Sequence, residues 1–208
     1  MTIWHPEVIP ESVRATLVEL GRLDLVSESY LAGGTGLALQ FGHRRSADLD
    51  LFFEQSSGEQ RWLGALSSSL VGFSLIAIAP ETLHFRHGTT KVSLLGYHYP
   101  LLFAVDAFHG ISVAEPRDIA CMEISAVAAR GTKRDFVDLY FAARKYGLEE
   151  LLELFERKYA QVRYSKMHIL KSLTYFADAE KDPLPDMIAV VDWKEVKGYF
   201  VREAAKLV

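Results

Sequence analysis

Two aspartates stand one residue apart in DLDLFF (48–53). Side chains alternate along a strand, so Asp48 and Asp50 share one face while Leu49, Leu51 and Phe53 take the other, which reads as core. Two carboxylates so close repel each other and need a positive partner, either Mg²⁺ or arginine. Arg44 and Arg45, in the run HRR (43–45), are one source of that charge, on a solvated edge strand. A metal ion is the other. Just upstream, Gly33-Gly34-Thr35 separates a short strand, ESYLAG (28–33), from a compact apolar helix running from Thr35 to Phe41. A helix N-terminus carries unpaired N–H groups and the positive end of the dipole, and glycine lets a phosphate approach it. Thr35 either caps that helix or donates its hydroxyl to a phosphate oxygen. On its own the turn is also plain chain geometry, and it is neither a P-loop nor a dinucleotide fingerprint. Beside the aspartates it makes a second half: a phosphate cradle and a carboxylate-held metal that together grip a nucleoside triphosphate. Phosphoryl and nucleotidyl transfer need that positioning and charge neutralisation.

A second carboxylate pair lies in KRDFVDLY (133–140). Asp135 and Asp138 are i,i+3 neighbours on one helix face, and Arg134 reaches Asp138 at i,i+4. The same spacing describes a helix start with a capping acid and an intrahelical ion pair. HFRH (84–87) reads as a surface hairpin with His84 and Arg86 on one face.

The elements that must position these groups fall into two halves. A first amphipathic helix follows Pro10. After DLDLFF come a helix over 56–70 and three successive strands, FSLIAIA (73–79), TLHFRH (82–87) and TKVSLLGYHY (90–99). Beyond Glu115-Pro116 the pattern is helical: 116–130, 133–147, 148–160, 165–178 and a closing helix from Trp193, with DPLP (182–185) as a loop. The expected architecture is α+β, a mixed sheet with flanking helices over 1–115 followed by an all-helical part over 116–208.

Composition narrows the class. The 208 residues carry a net charge of -4, so any nucleic-acid contact must use a local basic patch. The single cysteine, Cys121, excludes an internal disulfide and a cysteine-cluster metal site. The N-terminal MTIWHPEVIPE lacks the basic and apolar regions of a secretion signal, and FSLIAIA is too short to span a bilayer. A soluble, cytoplasmic protein is the expectation.

Gly33-Gly34-Thr35, His43-Arg44, Ser46 and Asp48-Leu49-Asp50, followed in order by RDIACMEISAVAARGTKRDFVDLYFAARKYGL (117–148), resemble the signatures of the AbiEii/AbiGii toxin family. That family belongs to the DNA-polymerase-β-like nucleotidyltransferase superfamily. The resemblance covers residues 28 to 160. It implies a nucleotidyltransferase-type core over 1–115 and a toxin of a toxin–antitoxin or abortive-infection system, with an antitoxin protein as partner. It also implies Mg²⁺-dependent transfer of a nucleotide from a nucleoside triphosphate, to RNA or tRNA. Carried over, Gly33, Gly34 and Thr35 hold the triphosphate together with Arg44 and Arg45. Asp48 and Asp50 hold the metal and count as catalytic together with Asp135 and Asp138, which match the family's Arg-Asp-x-x-Asp and of which one orients the acceptor. Two positions depart from the pattern. Glu123 stands where family members commonly carry a lysine. The strand expected to bring a third carboxylate offers Lys91 and Ser93 instead. A catalytically degraded member that binds nucleotide, RNA or a protein is therefore the alternative, and a small-molecule nucleotidyltransferase is a third reading.

Overall fold

The computed structural model describes residues 2–55 and 58–207. Helix α1 (Glu11–Leu20) turns Val13, Leu17 and Leu20 inward. Strand β1 (Ser29–Ala32), buried throughout, runs directly into helix α2 (Gly33–Phe41). Strand β2 (Asp48–Phe53) alternates as its pattern requires: Leu49, Leu51 and Phe53 are buried, and Asp48, Asp50 and Phe52 face the other way. Ser56 and Ser57, with which the next helix was expected to begin, lie outside the described residues; α3 spans Glu59–Ser69. Strands β3 (Phe73–Ala79), β4 (Thr82–His87) and β5 (Thr90–Gly96) form an antiparallel meander. A short hairpin follows, β6 (Asp106–Phe108) and β7 (Ile111–Val113), whose three-residue strands carry too little periodicity to be read from sequence.

Among the described residues five α-helices follow: α4 (Pro116–Ala129), α5 (Lys133–Tyr146), α6 (Leu148–Lys158), α7 (Lys166–Ser172) and α8 (Trp193–Ala205). Helix α7 stops short of the expected residue 178. The Thr174 hydroxyl bonds back to the Lys171 carbonyl, a local alternative to helix continuation.

The seven strands form one mixed sheet in the order β3-β4-β5-β2-β1-β7-β6. β2 is antiparallel to β1 and parallel to β5, which places Asp50 between Ala32 at the end of β1 and Ser93 on β5. One face of the sheet packs on α1 and α3 through Leu17, Leu51, Trp62 and Phe85. A second core lies among the helices, around Ile124, Phe136, Leu151 and Phe200, and Tyr30, Leu37 and Ile119 form a small cluster of their own.

Several polar contacts hold the helices to the sheet side, among them two tethers. Lys158 Nζ, fully buried, lies 2.8 Å from Asp118 Oδ1 and 2.8 Å from the Pro100 carbonyl. Asp118 also accepts the Leu102 and Phe103 amides, which leaves this buried charge pair well satisfied. The other tether is the strap after DPLP. The Arg45 amide donates to the Asp186 carbonyl, and the Ile188 and Ala189 amides donate to the His43 carbonyl. No helix among the described residues is long and apolar enough to cross a membrane.

Candidate nucleotide and metal site

The face of the sheet opposite α1 and α3 floors a cleft of about 550 Å³ whose far wall is α4. Alternation and register set out its floor as two rows. Asp48, Asp50 and Phe52 on β2 lie beside Lys91, Ser93 and Leu95 on β5. The floor is polar at the Asp48 end and apolar at the Phe52 end, where Tyr97 packs edge-on against Phe52. Burial raises the Asp50 pKa above the usual carboxylate value. The Ser93 hydroxyl opposes the shift, and the neighbouring Asp48 charge adds to it. Ser93 in turn meets His84 Nδ1 at 3.0 Å. His84 therefore lines the cleft, whereas its sequence partner Arg86 is exposed.

The N-terminus of α2 opens at the polar end. Gly33 has φ +61, a conformation that favours glycine, and lies against the Asp50 carboxylate. Gly34 is required for a different reason. A Cβ there would fall 1.8 Å from Arg44 Nη2 and 2.8 Å from Asp138 Oδ2. Thr35 is not a cap. Its hydroxyl bonds to Ser46 Oγ at 2.7 Å and to the Asp48 carbonyl, tying the start of α2 to the start of β2.

Beneath Gly34 lies a buried charge cluster. Arg44 grips Asp138 with Nε and Nη2, each at 2.6 Å, and His43 Nε2 reaches Asp138 Oδ1 at 2.7 Å. All three residues are 2% exposed or less. Burial works against the Asp138 charge, but the bonds and charges of Arg44 and His43 prevail and hold its pKa below the usual range. Asp135 is also buried. It closes a capping box with Thr132 and takes two hydrogen bonds from Arg130. Glu123, on the α4 wall, is 5% exposed, and its Oε2 has no hydrogen-bond partner among the described residues. Burial, then the charges of Asp138 and Asp135, push its pKa well above normal, with Arg130 and Arg44 opposing.

Of the residues singled out in the sequence, Gly33, Gly34, Thr35, Arg44, Asp48, Asp50, Asp135 and Asp138 all border this one cleft. Arg45 does not. It is exposed beside Asp186 and lines a neighbouring cavity shared with Ser46 and Asp48. The expected Arg134–Asp138 pair does not form: Arg134 is exposed, and Asp138 is taken by a partner 94 residues away in the chain. Arg44 also donates Nη1 to the Arg45 carbonyl and is buried, whereas Arg130, which grips Asp135 in the same two-pronged way, is exposed. Sequence reasoning passed over Phe52 and Tyr97, although alternation alone places Phe52 on the face of the two aspartates.

The chain is 36% identical over 195 residues to the uncharacterized protein aq_aa25 of Aquifex aeolicus, covering 91% of this chain and 93% of that protein. It belongs to that protein's family. No family model matches the chain, so the AbiEii/AbiGii resemblance rests on its motifs. Several solved structures share the fold, two of them as follows. The nucleotidyltransferase toxin MenT4 of Mycobacterium tuberculosis superposes with a TM-score of 0.62 at 17% identity, over 94% of this chain and 82% of that one. JHP933 from Helicobacter pylori does so with a TM-score of 0.54 at 20% identity, over 95% and 89%. The fold is thus the nucleotidyltransferase-type mixed sheet with flanking helices.

In this member of the aq_aa25 family, the donor set of the cleft suits a hard cation. Asp48 and Asp50 offer carboxylate oxygens on one strand face, and the repulsion between them is relieved by a positive charge. Among the described residues no group of three or more His, Cys, Asp or Glu gathers as a metal site. Asp48 and Asp50 would hold such a cation, which would supply charge neutralisation and, like Mg²⁺, would keep several waters.

Proposed function

We propose that the protein is a Mg²⁺-dependent nucleotidyltransferase. One observation carries this reading: Asp48 and Asp50 face into the same cleft as the open N-terminus of α2. The triphosphate lies along Gly33, Gly34 and Thr35, with backbone N–H groups toward its oxygens. The cation on Asp48 and Asp50 would neutralise charge building on the α-phosphate. The acceptor hydroxyl forms a bond to that phosphorus, the bond to the β-phosphate oxygen breaks, pyrophosphate leaves, and the hydroxyl proton passes to solvent. Asp138 and Asp135 act indirectly, by holding Arg44 and Arg130. In this reading residues 1–115 carry the metal and phosphate groups, and 116–208 supply the far wall and the acceptor side. Exposed Arg130, Arg134 and Lys91 border the cleft and suit a nucleic-acid acceptor, RNA or tRNA. The likeness to a toxin further supports a role in a toxin–antitoxin or abortive-infection pair, with an antitoxin as partner.

The test is incubation of the protein with Mg²⁺, each labelled nucleoside triphosphate and total RNA. Labelled RNA from the wild type, absent with Asp48→Ala or Asp50→Ala, is the expected result. Intact triphosphate and unlabelled RNA with all four nucleotides would sink it. Ser93 opposite Asp50 favours a second reading, a member that binds nucleotide without transferring it. Calorimetry separates the two: nucleotide binding without any labelled product selects the second.

A further inference from the structure

Helices α2 and α4 run antiparallel. Gln40, in the last turn of α2, donates to the Ala114 carbonyl just before α4 at 3.0 Å. One turn back, a Cβ on Gly36 would meet Ile119 Cδ1 at 2.9 Å. The next turn of α4 carries Glu123 to the N-terminus of α2, where Gly34 rests on Arg44 and Asp138. Those are two of the charges that act on Glu123. Glu123 is 5% exposed, borders the cleft, and has Oε2 without a hydrogen-bond partner among the described residues. A buried polar atom with no partner costs about 1–3 kcal/mol, so its persistence at a ligand-sized opening asks for a ligand.

We propose that Glu123 contacts the phosphate chain of the bound nucleotide, its carboxylic O–H donating a hydrogen bond to a phosphate oxygen at the N-terminus of α2. An ionised carboxylate only accepts hydrogen bonds and would repel phosphate, while the neutral acid supplies one donor. The surroundings favour the protonated form. Asp135 and Asp138 face Glu123 from α5, Arg130 from the end of α4, and Arg44 from the loop after α2. Burial and the two aspartates outweigh the two arginines. Phosphate binding is therefore linked to a proton on this side chain. The inference rests on the proposed function in one respect only, that a phosphate lies against α2.

Calorimetry on the full chain tests it, titrating inorganic tripolyphosphate or ATP, each with Mg²⁺, from about pH 6 to pH 9 into wild type, Glu123→Gln and Glu123→Ala. The amide of Gln keeps a neutral donor at every pH. Wild type and Glu123→Gln are expected to bind within about twofold of each other at the acid end. Wild type should weaken about tenfold or more relative to Glu123→Gln at the alkaline end, the scale of one hydrogen bond to a charged group. Titration of the polyphosphate itself is common to both proteins and cancels in that ratio. Glu123→Ala should bind about tenfold more weakly than wild type at the acid end. Superimposable wild-type and Gln profiles, or an Ala variant as tight as wild type, overturn the inference. Absence of binding by every form overturns it together with the proposed function. The expected ratio with no labelled transfer product upholds it and overturns transfer alone.

Discussion

Arg44 donates two parallel hydrogen bonds to Asp138, from Nε and from Nη2 at 2.6 Å each, directly against the Cα of Gly34. This pair joins the loop after α2 to α5 and forms the floor on which the α2 N-terminus sits. Gly34 is a glycine because a charge pair fills the space of its side chain. Within the motif, Gly34, Arg44 and Asp138 thus pack on one another and shape the α2 end of the cleft from behind.

Removing either partner of this pair leaves a buried charge uncompensated. Asp138→Ala is expected to cost about 3–5 kcal/mol in urea unfolding, and Gly34→Ala, which wedges the pair apart, a comparable amount. The double variant should cost much less than the sum, because both changes break one unit. The pH dependence has a definite sign. The folded Asp138 pKa lies below its unfolded value of about 3.9, so its contribution is fully present above that value and is lost as pH falls through the folded one. Because Asp138 also raises the Glu123 pKa, the comparison is made in a Glu123→Gln background, where the gap left by Asp138→Ala should stay constant from neutrality down to about pH 4 and close only in stronger acid. A gap that closes near pH 6 would contradict the assignment.

Glu123 carries the opposite sign. Its folded pKa lies well above the unfolded value of about 4.3, so the folded state holds a proton that the unfolded chain has lost. Wild-type stability should fall as pH rises from about 4.3 toward the folded pKa, while Glu123→Gln shows no such decline. The two proteins are expected to melt together near pH 4, with the Gln variant higher by several degrees near pH 8, at about 2–4 °C per kcal/mol for a chain of this size. Melting curves in the absence of nucleotide provide the measurement, and equal melting temperatures across the range would refute it.

In the proposed function Asp50 links stability to metal. Burial and the Asp48 charge raise its folded pKa, so at neutral pH the ionised carboxylate is a cost to the fold. Asp50→Asn should therefore melt higher than wild type without metal, yet lose the rise in melting temperature that Mg²⁺ gives the wild type. Transfer should drop on the order of a thousandfold, the loss of several kcal/mol of charge stabilisation. An Asn variant that still gains stability from Mg²⁺ would place the cation elsewhere.

What could be read from the sequence was local. Alternation along β2 put Asp48 and Asp50 on one face, and the glycines marked the strand-to-helix turn beside them. Pairings over long separations escaped it. Arg134 satisfies the i,i+4 rule toward Asp138, but a partner fixed by tertiary packing, Arg44, has the better geometry and the lower dielectric. Lys158 sits in the last turn of α6, where a lysine ordinarily faces solvent and complements the helix dipole. Its burial is explained by two distant partners, Asp118, 40 residues upstream, and the Pro100 carbonyl. His84 looked like part of an exposed hairpin because its neighbour in the sheet, Ser93, is known only once the β4–β5 register is known.

Ser93 offers the sharpest separation between an enzyme and a binder. It is 5% exposed, lies opposite Asp50 in register, and bridges toward His84. Ser93→Asp would set a third carboxylate beside the first two. Without metal this adds a like charge next to an already burdened Asp50, so the variant should melt several degrees below wild type at neutral pH. With Mg²⁺ the third oxygen ligand offsets that repulsion, and the apparent Mg²⁺ affinity should rise about tenfold, one additional charged ligand for a hard cation. If the wild type transfers nucleotide, Ser93→Asp should shift its Mg²⁺ requirement to lower concentration. If the wild type only binds, transfer that appears first in Ser93→Asp would show that a missing carboxylate is what separates this chain from an active enzyme. Unchanged Mg²⁺ dependence of both melting and activity would mean that Asp48 and Asp50 do not hold the cation.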